Sequence, residues 1–241
     1  MFTTNHFIWL AISVGIIVGM NLLQARFKLS FKTVLTSLFC VCVISEVVKM
    51  FSNMIETGYK GGYVLNPGDL PFHLCSMQIF FVAALQFFIK NEQTKEKLLG
   101  FMVPSMLLGG IMALLIPTVG VNFTDPQVYQ FFIFHAYIIF FAVYVLRQKL
   151  VNWSWKTLLR NFGYIGVLAF FVMLINSVLS IGFERVNFMY LVRPPMDNLP
   201  ILNLDNGWVA YFFSLAGVMA VLLTSFHAIV IFFTNRSNKK K

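Results

Sequence analysis

From Asp69 to Gln78 the chain reads Asp-Leu-Pro-Phe-His-Leu-Cys-Ser-Met-Gln, which places the Cys75 thiol two residues from the His73 imidazole at the head of a long apolar run. A thiol becomes a useful nucleophile when its surroundings favour the thiolate, and helix N-termini do so through unpaired amides and the helix dipole. Asp69 is a good N-cap, and Pro71 suits a first turn because the amide it lacks would be unpaired there. The expectation is a helix starting at Asp69, with His73 and Cys75 in its first two turns. The competing structural reading is that Cys75 is a small core hydrophobe in an interfacial polar cluster.

The element that must carry this motif lies in a membrane. The chain has 241 residues, is 59% hydrophobic, contains 28 Phe and is only 11% charged. Soluble domains are apolar in only about half of their residues. The net charge of +9 does not point to nucleic acid, because the basic residues are scattered among short segments between apolar runs. Cys40, Cys42 and Cys75 provide no disulfide framework. The N-terminus shows no basic n-region and no small-residue cleavage site, so the first apolar run is expected to be retained as a membrane helix.

Seven runs are long enough to cross a hydrocarbon layer of about 30 Å. They lie at about 6–24, 33–55, 70–90, 98–117, 127–147, 158–182 and 206–233. The expected fold is an all-α, polytopic seven-transmembrane-helix bundle forming one membrane domain over 1–241. Arg26, Lys28, Lys32, Lys90, Lys95, Lys97, Arg147, Lys149, Lys156, Arg160, Arg236, Lys239, Lys240 and Lys241 all fall on one side, fourteen of the 18 basic residues. By the positive-inside rule that side is cytoplasmic, which puts the N-terminus outside and the C-terminus inside a cell (plasma) membrane. The opposite loops carry Glu56, Asp69, Asp125, Glu184, Asp197 and Asp205 against Lys60, Arg185 and Arg193.

This orientation places Cys75 and His73 near the outer face. Glu46 and Lys49 lie in the outer half of the second run, one turn apart and able to pair. His135 lies about 12 Å into the fifth run at 1.5 Å per residue. Gln78 and Asn176 reach similar depth, and these residues are candidates for one outward-opening cavity. His227 is at the cytoplasmic end and too distant. Structural roles compete at each position: a helix-locking pair for Glu46 and Lys49, a satisfied bundle histidine for His135, and interhelical hydrogen bonds for Gln78 and Asn176. Pro104, Gly109 and Gly110 read as a kink and close packing. The segment 183–205 holds Asn187, Tyr190 and Arg193-Pro194-Pro195. Its prolines forbid regular helix, and it is expected to fold back as a lid, with Arg193 offered to an anionic head group, or as a structural cap.

The Leu70-Pro71-Phe72-His73-Leu74-Cys75 motif, a histidine in the fifth run (His135) and the Asn187-to-Tyr190 block followed by Arg193-Pro194-Pro195 resemble the YwaF-type bacterial integral membrane proteins. These are similar to the eukaryotic transmembrane protein 164 family. The resemblance implies acyl transfer among membrane phospholipids through a cysteine that carries the acyl group, here Cys75, with His73 or His135 as its base. In a regular helix residues two apart point about 200° from each other, which favours His135 as base and leaves His73 to orient a head group. Oxyanion donors are sought among Asn176, Gln78 and Asn187, and Glu46 is a candidate to hold a histidine tautomer. Membrane phospholipids are the expected partners, and no cofactor is implied. The alternative from another class is a transporter or small-molecule receptor using the same cavity. A retinal pigment is disfavoured because 206–233 contains no lysine, and the four histidines lack the spacing of a zinc site.

Overall fold

Six helices among the described residues are long and apolar enough to cross a membrane. The computed structural model describes residues 2–57, 62–182, 186–196 and 199–238, with the backbone only at 55–57, 62 and 235–238. The loop charges Lys60, Glu184, Arg185 and Asp197 and the terminal Lys239 to Lys241 lie outside those residues. The helices are α1 (Thr4–Phe27), α2 (Phe31–Ser52), a short α3 (Gln78–Ala83), α4 (Glu92–Leu115), α5 (Pro126–Arg147), α6 (Trp155–Leu179) and α7 (Gly207–Asn238). Polar residues in the connecting segments start most of the long ones. The side chains of Ser30, Asn91, Asp125 and Ser154 accept from backbone amides in the first turns of α2, α4, α5 and α6. An unanticipated antiparallel hairpin follows α2, with β1 (Ile55–Thr57) paired to β2 (Gly62–Val64) and Glu56 opposite Tyr63.

The expected third span over 70–90 is not a continuous helix, and Asp69 is not its N-cap. The cap occurs earlier, where Asn66 Oδ1 accepts from Gly68 N at 3.0 Å and starts a 3₁₀ turn at Pro67–Asp69. Leu70 then takes φ −56°, ψ 148°. The reason is steric: the ring of Pro71 disfavours the α region for the residue before it, so no helix passes from Asp69 into Pro71. Residues 70–77 form successive tight turns, with Phe72 N bonded to Leu70 O at 2.8 Å and Met77 N to His73 O at 2.8 Å. Regular helix begins only at Gln78, and a π-helical turn at Ala84–Phe88 ends it. Cys75 thus precedes the helix, and neither the dipole argument nor the 200° separation from His73 holds.

This broken segment nevertheless tracks α2. Four contacts, taken from the last turn of α2 to its first, are Asn53 Nδ2 to Asp69 Oδ1 at 2.9 Å, Lys49 Nζ to Ser76 Oγ at 3.0 Å, Gln86 Nε2 to Thr36 Oγ1 at 3.0 Å, and Lys95 Nζ over the Phe31 ring at 4.4 Å. Residues 69–95 therefore run antiparallel to α2 along its length.

The chain forms two compact units, residues 1–151 and 152–241. In the first, α5 packs against α1, α2 and α4 and is buried nearly all round. Trp9 of α1 stacks between Phe123 and Phe132, with ring centroids 4.9 and 5.1 Å away. In the second, α6 and α7 pack together, and Asn161 Nδ2 lies 3.3 Å from His227 Nε2.

Candidate functional site

The turns of residues 70–77 hold Cys75 half-buried, with its sulfur against α4. The contact is at Gly109, where a Cβ would stand 3.1 Å from Sγ. Its neighbour Gly110 faces α5, and a Cβ there would come within 2.7 Å of Ile139 Cγ1 and 3.4 Å of the His135 carbonyl oxygen. The two glycines thus let α4 approach the thiol with one residue and the helix of His135 with the next, a closeness that any side chain at either position would prevent.

His135 Nδ1 lies 2.7 Å from Phe131 O in the preceding turn. A carbonyl can only accept, so Nδ1 carries a hydrogen, and in the neutral ring the lone pair is on Nε2. The Phe131 ring, 4.3 Å between centroids, packs against the imidazole. No hydrogen bond joins Cys75 Sγ to His135 among the described residues.

The electrostatic hub is Lys49. Its ammonium is 2.6 Å from Glu46 Oε2 and donates to Ser76 Oγ at 3.0 Å. Asp69 lies within reach of its charge. Burial raises the Asp69 carboxyl above its ordinary range, against the pull of the Asn53 hydrogen bond and the Lys49 charge. Below Cys75, the fully buried Gln78 donates from Nε2 to Leu74 O and to Ser105 Oγ, each at 3.0 Å, and its Oε1 has no hydrogen-bond partner among the described residues.

The sequence-predicted residues therefore divide. Glu46, Lys49, His73, Cys75, Gln78 and His135 all belong to the first unit, and Lys49 and the glycine pair link them. Asn176, Asn187, Tyr190 and Arg193 belong to the second. There Asn176 clamps the backbone of Phe188, donating to its carbonyl at 3.0 Å and accepting from its amide at 2.8 Å. Asn187 accepts from Val192 N at 3.1 Å and donates to Arg193 O at 2.9 Å. Trp208 Nε1 donates to Leu191 O at 3.0 Å, and the Tyr211 hydroxyl donates to Tyr190 O. These bonds hold Met189 and Tyr190 at φ 54°, a left-handed conformation costly for large side chains. The described part of the 183–205 segment is thus fastened to α6 and α7.

Sequence reasoning did not single out Ser76, Ser105 or Gln130. Gln130 Nε2 donates to Ser45 Oγ at 2.5 Å and ties α5 to α2 beside Glu46. An amide inside an apolar run was the available signal. No group of three His, Cys, Asp or Glu suited to a metal occurs among the described residues.

Six helices long and apolar enough to cross a membrane among the described residues define a multi-pass helical membrane protein, and the polar cluster lies within its first unit. The model of the TMEM164 family matches residues 1–230, and the chain belongs to that family. No curated protein and no solved structure matches it.

Proposed function

We propose that this protein moves a fatty acyl group between membrane phospholipids through a thioester on Cys75. The observation that carries the reading is the sulfur seated against Gly109, with Lys49 bonded to the adjacent Ser76 and His135 on the helix packed at Gly110. In the first half-reaction the Cys75 proton passes to His135 Nε2, and the thiolate attacks the ester carbonyl of the donor lipid. The ester C–O bond breaks, and the lysophospholipid leaves with the proton returned by His135. In the second half-reaction His135 takes the hydroxyl proton of an acceptor lysophospholipid as its oxygen attacks the thioester. The C–S bond breaks and the thiol regains its proton. Glu46 holds Lys49, which bonds to Ser76 next to the thiol, and Gln78 positions the turn that carries Cys75.

On this reading residues 70–88 cross the bilayer as a seventh, broken span, the N-terminus is outside, and the thiol meets lipid esters of the outer leaflet of the cell membrane. Irregular backbone at membrane depth is tolerated where protein covers it, and the bond of Ser76 to α2 and the contact of Cys75 with α4 support this reading. The test is mass spectrometry of the purified protein incubated with a phospholipid donor. An acyl group on Cys75 that neutral hydroxylamine removes is expected, at a formation rate at least tenfold lower in His135→Gln. Acyl transfer that persists in Cys75→Ala would refute the reading.

A further inference from the structure

At the opposite end of the same unit, an open cavity of about 480 Å³ lies between the end of α1, the start of α2 and the end of α5. Two cations border it. Lys28, which caps α1 in a left-handed conformation at φ 48°, has no ion pair or hydrogen bond from its ammonium among the described residues. The Arg147 guanidinium donates to Asn21 Oδ1 at 2.9 Å through Nη1. The cavity also takes in the first turn of α2. Ser30 Oγ is bonded to Thr33 N at 3.2 Å, while the amides of Phe31 and Lys32 head the helix without intrahelical partners.

Two buried polar side chains point to a ligand independently of that helix end. Gln24 and Tyr144 are 5% and 4% exposed, and both line the cavity. Neither side chain makes a hydrogen bond among the described residues, and the polar end of neither is sealed away from solvent. Buried amides and phenols are normally satisfied, so donors left open onto a cation-bordered cavity are suited to an oxyanion. Two carboxylates, Glu92 and Glu96, lie in the first turns of α4, and Glu92 is paired with Lys95 at 3.2 Å.

We infer that this cavity binds the phosphate of an anionic membrane lipid, with Arg147 and Lys28 as counter-charges and Gln24, Tyr144 and the α2 amides as donors. A lipid is favoured over a soluble anion because the cavity opens where spanning helices end. Phe27 and Leu23 beside it are 66% and 48% exposed, an apolar surface for the acyl chains.

The experiment is equilibrium binding of a fluorescent phosphatidic acid to the full-length protein in uncharged detergent. Each variant is checked for monodisperse elution. Arg147→Gln, an exposed position, and Gln24→Glu, which keeps the shape and adds a negative charge, are each expected to weaken binding about tenfold. Arg26→Gln, which removes a cation at the same end outside the cavity, is expected to leave binding unchanged. Millimolar inorganic phosphate is expected to compete weakly. Equal loss in Arg26→Gln would reduce the effect to generic basic surface. Full competition by inorganic phosphate would assign the cavity to a soluble anion, and unchanged binding in Arg147→Gln and Gln24→Glu would remove the site. Each of these three results overturns the inference, and none bears on Cys75.

Discussion

Replacing Gly109 by Ala tests the seat of the thiol. The added Cβ would stand 3.1 Å from Cys75 Sγ, whereas ordinary contact begins at 3.4 Å. Allowing for an optimal separation of about 3.5–4.0 Å, the sulfur must retreat by about 0.5 Å. A 1 Å misplacement of a reacting atom costs on the order of 100-fold in rate, so half of it corresponds to about tenfold. Gly110→Ala supplies the contrast. Its Cβ would meet Ile139 Cγ1 at 2.7 Å, which is a core clash between α4 and α5 with no direct push on the thiol. Overpacking of this kind costs about 1–3 kcal/mol of stability. The assay is the rate of Cys75 modification by a lipid-like electrophile, read beside the melting temperature. Gly109→Ala is expected to slow modification about tenfold with a small change in Tm, and Gly110→Ala to lower Tm with the smaller rate effect. Modification of Gly109→Ala at the original rate would refute the contact that holds the site together.

Lys49→Met leaves Glu46 uncompensated at 6% exposure and is expected to destabilise by about 3 kcal/mol in thermal unfolding, most of it recovered in Glu46→Gln/Lys49→Met. Asp69, whose carboxyl burial raises from 3.8, binds its proton more tightly folded than unfolded. Its contribution is therefore present below pH 3.8 and lost as pH rises through the folded value. Asp69→Asn is expected to flatten the pH dependence of Tm over that rise and to increase Tm at neutral pH. Asn176→Leu removes both bonds to the Phe188 backbone and is expected to cost about 2–3 kcal/mol, seen as faster proteolysis between α6 and α7. An unchanged cleavage rate would show that the clamp does not hold the segment.

The amino-acid sequence alone was enough to establish a membrane protein with long apolar helices, because length and hydropathy report the solvent a segment requires. Hydropathy placed the start of α5 within one residue but that of α4 six residues late, because the polar first turn of α4, capped by Asn91, is not apolar. Pairing of Glu46 with Lys49 was legible, since residues one helical turn apart meet whatever the tertiary fold. The third segment was misread because Asp69-Leu70-Pro71 carries two valid helix-start signals, and the constraint of proline on Leu70 overrides both.

Which face of each helix meets protein and which meets lipid was not legible, because both environments are apolar and leave no amphipathic stripe. Only the tertiary structure decided that α5 is the buried hub, that the Cys75 sulfur rests against Gly109 of α4, and that Lys49 bonds to Ser76. It likewise committed the amides of Asn176 and Asn187 to backbone in the second unit. A lone polar residue in an apolar run shows that a partner is needed, and the partner is chosen by how helices distant in sequence come together.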